Sequence, residues 1–143
     1  MKRSLSLVVP LTALAVFGLM TPAAARDGRK CSNATLNGRY SATITGTLGG
    51  EPFAELDLVT SAGSGTFTGN GTLSMNGTIS TVSFTATYTV NSDCSGSDSL
   101  STGVTQNFNI KSDGSEVMFI ATTPGATITG DAKQVIPPGF DKD

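Results

Sequence analysis

Two carboxylates and two cysteines are the side chains of this chain best placed to do chemistry. Glu55 and Asp57 stand two residues apart in an alternating segment, so both belong on one face of a β-strand. Carboxyl groups this close can couple, and one of them can then act as an acid of raised pKa. Ala54, Leu56 and Leu58 occupy the opposite phase. We therefore expect that phase to face the core and the two carboxylates to lie on a solvated outer face.

The remaining polar residues indicate no recognisable catalytic or metal site. The sequence contains no histidine, which excludes Ser-His-Asp and Cys-His machinery and histidine-ligated metals. Asp98, Glu116 and Asp131 lie in or beside other predicted strands and are also expected on solvated faces. The turn residues Asp93 and Asp113 lack the spacing of a calcium loop. We assign no catalytic residue, no metal and no cofactor, and the sequence favours a non-catalytic role.

Cys31 and Cys94 are the only cysteines in the chain, so a single pairing is possible. A metal site built on two cysteines would need further ligands, and the spacing fits no zinc pattern. We expect a disulfide, which in the chain-entropy model restricts the unfolded chain by roughly 4 kcal/mol. A disulfide in turn implies an oxidising compartment.

The first 25 residues have the pattern of a cleavable signal peptide. Lys2 and Arg3 precede an apolar run over residues 5–20, and three alanines at 23–25 supply a small-residue cleavage site. The run is shorter than the ~20 residues that a spanning helix needs, and it contains a proline, so an uncleaved anchor is disfavoured. No second apolar segment is long enough to cross a bilayer. The mature protein is therefore expected to be soluble and either secreted or periplasmic.

The charge balance excludes one class of partner. The chain has 9 basic and 11 acidic residues and a net charge of −2, and loss of the signal peptide makes it more acidic. Without a basic stripe, neither nucleic acid nor an anionic membrane surface is an expected partner.

Hydrophobic residues alternate with Thr and Ser along most of the chain, which is typical of antiparallel strands covered on one side. Turn signals such as Asn-Gly and Asp-Gly separate the alternating segments. The predicted strands are 38–48, 52–60, 64–69, 71–75, 78–91, 97–110 (one strand, or two strands broken at Gly103), 115–122 and 126–135. We expect one all-β domain over 26–136, followed by a flexible tail over 137–143. An up-and-down barrel of about eight strands is favoured over a β-sandwich, because closure removes exposed edges.

Aromatic residues on the apolar phase of these strands are the candidate ligand contacts. Small barrels are usually filled by such side chains, although some keep room for one ligand. Core packing is the alternative to a ligand pocket. The candidates are Tyr40, Phe84, Tyr88, Phe108 and Phe119.

Three segments together resemble small secreted bacterial β-barrel proteins of unassigned function. They are the opening run from Cys31 to Tyr40, the middle run from Tyr88 to Gly96 and the closing run from Glu116 to Gly130. The resemblance covers most of residues 31–134. It implies a compact antiparallel barrel of the allene oxide cyclase or calycin type, and it carries no catalytic residue onto this sequence.

The resulting expectation is a secreted, disulfide-linked barrel that binds a small apolar ligand. Two alternatives stay open. One is a surface or structural subunit of fimbrial type. The other is a cyclase-like barrel enzyme that works by enclosing a flexible substrate. The oligomeric state is not predicted.

Overall fold

The computed structural model describes residues 30–136 and Gly139. The predicted signal peptide, 1–25, lies outside the described residues, and so does the predicted tail, 137–143, apart from Gly139. Within residues 30–136, no helix is long and apolar enough to cross a membrane.

The described chain is a short 3₁₀ turn followed by eight strands. The turn is Asn33–Thr35, and the strands are β1 Asn37–Leu48, β2 Glu51–Ala62, β3 Thr66–Met75, β4 Thr78–Val90, β5 Ser95–Leu100, β6 Thr105–Ile110, β7 Glu116–Ala121 and β8 Ala126–Ile136.

The eight strands form one closed antiparallel barrel in sequence order. Each strand pairs with the next, and β1 also pairs with β8 from Arg39–Ile136 to Leu48–Ala126, with one irregularity between Arg39 and Tyr40. Closure gives every strand two hydrogen-bonded neighbours, so no sheet edge is left exposed. The prediction of an up-and-down barrel rather than a sandwich is confirmed.

One predicted strand boundary differs from the structure. Asn70-Gly71 was expected to be a hairpin turn between 64–69 and 71–75, but β3 runs through both residues without interruption. Their backbone is held in the ladder by partners on both sides, since Gly71 pairs with Asp57 of β2 and with Val82 of β4.

The run 97–110 was predicted as one strand or as two strands broken at Gly103, and the structure has two strands. It is divided between β5 and β6 by a turn over 101–104. Gly103 adopts a positive φ of 90° in this turn, a conformation that favours glycine.

Large inward side chains lie over glycines on the neighbouring strand. A Cβ on any of these glycines would overlap the ring that covers it, so the missing side chain is what makes room for the aromatic group. The directly paired sets are Phe84 over Gly69, Phe108 over Gly96 and Phe119 over Gly130.

One end of the barrel, here called the closed end, is covered by the segment that precedes β1. The Cys31–Cys94 disulfide joins that segment to the β4–β5 turn. The Tyr88 hydroxyl lies 3.0 Å from Asn33 O, and Ser61 Oγ donates to Leu36 O at 2.7 Å. The turns 63–65, 91–94 and 111–115 lie at this end. Strand alternation then places the turns 49–50, 76–77, 101–104 and 122–125 at the other end, here called the open end.

Loss of the disulfide should destabilise the barrel without abolishing its topology. In a Cys31→Ser/Cys94→Ser variant we expect the free energy of unfolding to fall by roughly 4 kcal/mol, because a loop spanning 63 positions is no longer constrained in the unfolded chain. Urea titration followed by far-UV circular dichroism measures the loss. An unchanged unfolding midpoint would contradict this account of the disulfide.

Candidate functional site

The barrel interior contains two neighbouring spaces that share part of their lining. The outer one is a pocket of about 170 Å³ near the open-end turns. The inner one is a cavity of about 80 Å³ further toward the closed end. Both are walled mainly by apolar side chains, and they share the lining residues Ile44, Asp57, Phe84, Leu100 and Gln106. Asp57 and Gln106 are the polar members of this shared lining.

The structure reverses the expected orientation of Glu55 and Asp57. Asp57 is 3% exposed and lines both spaces, and Glu55 is half-buried and lines the outer pocket. Leu56, which was expected to face the core, is 57% exposed. The prediction of a solvated outer face for the two carboxylates is wrong.

The pairing of β2 explains the reversal. Side chains of directly paired residues lie on the same face of a sheet, and Asp57 is paired with Ala42 of β1 and Gly71 of β3. Ala42 belongs to the buried face of β1, which fixes Asp57 on the inside. The β2 sequence is ambiguous because Phe53 and Val59 are apolar in the same phase as the carboxylates.

Gly71 supplies the space that the Asp57 carboxyl group occupies. A Cβ at Gly71 would overlap Asp57 Oδ1 and the backbone oxygen of Leu56. The arrangement repeats the pairing of rings with glycines elsewhere in the barrel, with a carboxyl group in place of the ring. The carboxylate is therefore packed into a defined position on the inner wall.

The two carboxyl groups on β2 interact directly. Burial, repulsion from Asp57 and the hydrogen bond that protonated Glu55 donates to Asp57 together raise the pKa of Glu55 to about 7. Burial also raises the pKa of Asp57, and the hydrogen bond from Glu55 opposes that rise. With both groups ionised, neither oxygen of Asp57 has a hydrogen-bond donor within the described part of the chain. Near neutral pH the pair can therefore hold one proton, which is the property of an acid–base pair.

A second inward carboxyl group lies on β5. Asp98 is 8% exposed, and its Oδ1 has no hydrogen-bond partner among residues 30–136. Burial alone raises its pKa to about 7. Its direct partners across the sheet are Tyr88 on β4 and Gln106 on β6. The expectation of a solvated face for Asp98 is also wrong.

The other carboxylates differ from these three. Asp93 and Asp113 are exposed in turns, where hydrogen bonds donated by Ser95 and Ser115 lower their pKa values. Asp131 lies 3.8 Å from Lys133 with about half of its side chain exposed. Glu116 is half-buried on β7 and is absent from the linings of both interior spaces. None of these four groups belongs to the interior site.

The five aromatic side chains predicted as ligand contacts all point into the barrel, but not all of them line the inner cavity. Phe84, Phe108 and Phe119 line the inner cavity. Tyr40 also lines it, but its hydroxyl donates to Gly114 O at 2.9 Å, and burial is the main cause that raises its pKa to about 12. Tyr88 lies nearer the closed end and is not a lining residue.

Gln106 and Ser61 are inward polar residues that sequence reasoning did not single out. Gln106 shares the apolar phase of β6 with Phe108 and Ile110, and a buried polar residue in such a phase is a signal that could have identified it. Ser61 follows the phase of Asp57 and Val59, but its hydroxyl is engaged at the closed end. Gln106 belongs to the candidate site, and Ser61 belongs to the closed end.

No group of three or more Asp, Glu, Cys or His side chains that could hold a metal ion occurs in the described part of the chain. Comparison of the sequence and the structure with protein-family models, with curated proteins and with solved structures finds no match. The site must therefore be interpreted from its own geometry.

The raised pKa values predict a barrel that is more stable near pH 5 than near pH 8. Folded Asp98 keeps its proton up to about pH 7, whereas in the unfolded chain the same group ionises near 3.8. Its stabilising effect is complete below the unfolded value and is lost as the pH rises through the folded value. Between pH 5 and pH 8 we expect ionisation of Asp98 to lower the free energy of unfolding by an amount on the order of 3 kcal/mol. Urea unfolding at both pH values measures it.

Two aspartate variants make this test specific. Asp98→Asn imitates the protonated acid, so it should unfold at a higher urea concentration than the parent near pH 8 and show a weaker pH dependence. Asp113→Asn changes an exposed group that holds Lys111 and Ser115, and it should bring no gain near pH 8. Equal responses of the two variants would contradict the assignment to Asp98.

Proposed function

We propose that this protein is an exported, non-catalytic binding module that holds a small, mainly apolar ligand in the open half of its barrel. The observation that carries the proposal is the combination of an apolar pocket at the open end with a small set of polar groups where it narrows. Ligand sites typically combine apolar walls with a few placed polar groups in this way.

The volumes favour a ligand of few atoms. The two interior spaces together remain below the roughly 300 Å³ at which drug-sized pockets begin. A cavity of about 150 Å³ in another protein holds benzene, and the outer pocket here measures about 170 Å³. A ligand with a six-carbon body fits this scale.

Export is part of the proposal and rests on the signal-peptide pattern of residues 1–25 together with the disulfide. Disulfides persist in secreted and periplasmic proteins and are rare in the cytosol. The disulfide is compatible with an oxidising location.

An acid–base enzyme is the second candidate, and the Glu55–Asp57 pair is the observation that favours it. The pair combines one proton with one negative charge near neutral pH, inside an apolar enclosure. If the barrel is an enzyme, a ligand recovered after incubation will be chemically changed by the parent protein and unchanged by Glu55→Gln/Asp57→Asn.

The fimbrial alternative gains no support, because a strand-donating partner needs an open groove and the sheet is closed.

The binding proposal predicts that a bulky side chain at the open end blocks the pocket. Leu73 lines the outer pocket from β3, and Leu73→Trp should abolish the chemical-shift changes that 1-hexanol produces in amide NMR spectra of the parent. Val82→Phe, on the neighbouring strand β4, blocks the same pocket with a smaller change in volume.

The matched control is Leu56→Trp, which makes the same substitution at an outward position of β2 that is already exposed. It should bind 1-hexanol as the parent does. Thermal unfolding of each variant shows whether the barrel is intact. Equal binding by Leu73→Trp and Leu56→Trp would overturn the proposed function, and so would failure of the parent to bind any of 1-hexanol, hexylamine and hexanoate.

A further inference from the structure

The interior polar groups are unbalanced in charge. Three carboxyl groups, those of Glu55, Asp57 and Asp98, line the two interior spaces from strands β2 and β5. No lysine or arginine occurs in the described lining of either space. The other polar side chains in the lining are neutral: the Gln106 amide and the hydroxyls of Tyr40, Ser61 and Thr102. A ligand that reaches these groups meets a surplus of hydrogen-bond acceptors and no fixed positive charge.

Asp57 is the strongest single indication of a ligand. It is 97% buried, it points into the space that an entering molecule would occupy, and both of its oxygens lack a donor when Glu55 is ionised. A buried carboxylate without donors costs several kcal/mol. Gly71, which has no side chain, leaves room for this carboxyl group against the backbone of β3.

Asp98 adds a second acceptor of the same kind from another wall. Its Oδ1 is buried without a partner, and it lines the same inner cavity as Asp57. Asp98 and Gln106 are direct partners across β5 and β6, so they present a carboxyl and an amide side by side. Two walls thus direct unsatisfied acceptors into one space of about 80 Å³.

We propose that the ligand of this barrel is a small primary amine, whose ammonium group binds among Glu55, Asp57 and Asp98 while its hydrocarbon part fills the outer pocket. This inference rests on the proposed function and names the chemical class of its ligand. An ammonium group brings three N–H donors for the unpartnered carboxyl oxygens and a positive charge, which no side chain in the lining supplies. Charge-assisted hydrogen bonds are the stronger class of hydrogen bond.

The affinity for an amine should depend on pH. On β2 and β5 the titratable groups that face the site are Glu55, Asp57 and Asp98. From the neighbouring strands the inward titratable groups are Tyr40 on β1 and Tyr88 on β4, and both hydroxyls are hydrogen-bonded toward the closed end. Binding requires ionised carboxylates, so the affinity should fall as these groups take up protons below about pH 7.

Isothermal titration calorimetry of the mature, oxidised protein with three six-carbon compounds tests the inference. The compounds are hexylamine, 1-hexanol and hexanoate, which share a hydrocarbon body and differ in the head group. Near pH 8 we expect hexylamine to bind at least about tenfold more tightly than 1-hexanol, with hexanoate weakest. Near pH 5.5 the advantage of the amine should shrink by roughly tenfold or more, while 1-hexanol should bind equally at both pH values.

Asp57→Asn and Asp98→Asn identify the groups responsible. Both variants imitate the protonated acid and keep its shape, so each should fold and lose most of the preference for hexylamine over 1-hexanol. Asp113→Asn removes an exposed carboxylate at the closed end and should leave the preference intact.

The outcomes separate the two proposals. If 1-hexanol binds and hexylamine binds no more tightly, the amine inference is overturned and the proposed function stands. If the preference survives in both Asp57→Asn and Asp98→Asn, the inference is overturned as well. If none of the three compounds binds, the proposed function fails and the inference fails with it.

Discussion

Closure of the sheet is the constraint on which the rest of this structure depends. Once β1 pairs with β8, every residue of every strand lies either inside or outside the barrel, and a shift of one position would exchange the two sets. The orientation of each strand is therefore decided jointly by its two neighbours. β2 illustrates this, because its own sequence is ambiguous and its pairing with Ala42 of β1 and Gly71 of β3 directs Asp57 inward.

The interior is filled unevenly, and that unevenness creates the site. Toward the closed end, the disulfide, the 3₁₀ turn and the hydroxyls of Tyr88 and Ser61 consolidate the packing. In the middle, aromatic rings lie over inward glycines and take up most of the volume. At Gly71 the group over the glycine is a carboxyl, which leaves polar atoms next to unfilled space. The barrel thus combines a rigid closed end with a pocket that opens at the other end.

The buried carboxyl groups oppose the stability that closure provides. Asp57 and Asp98 occupy positions where an apolar side chain would be less costly. Oδ1 of Asp98 lacks a donor in the described part of the chain, and so do both oxygens of Asp57 when Glu55 is ionised. Polar groups that are buried at a cost in folding stability are characteristic of functional sites. Near and below neutral pH these carboxyl groups take up protons, which removes the cost of burying their charges. The charge of the site and the stability of the fold therefore depend on the same protons.

The sequence by itself determined the all-β class, the barrel, the turn positions at Asn76-Gly77 and Asp113-Gly114 and the pairing of Cys31 with Cys94. These features follow from local patterns: alternation of period two, residues that tolerate positive φ, and a single possible cysteine pair. Only the tertiary structure decided that Glu55, Asp57 and Asp98 face inward and that Asn70-Gly71 continues a strand. The reason is that β2 has apolar residues in both phases and β5 is too short and polar to indicate a face. Cross-strand register, which joins residues distant in sequence, selects between the faces.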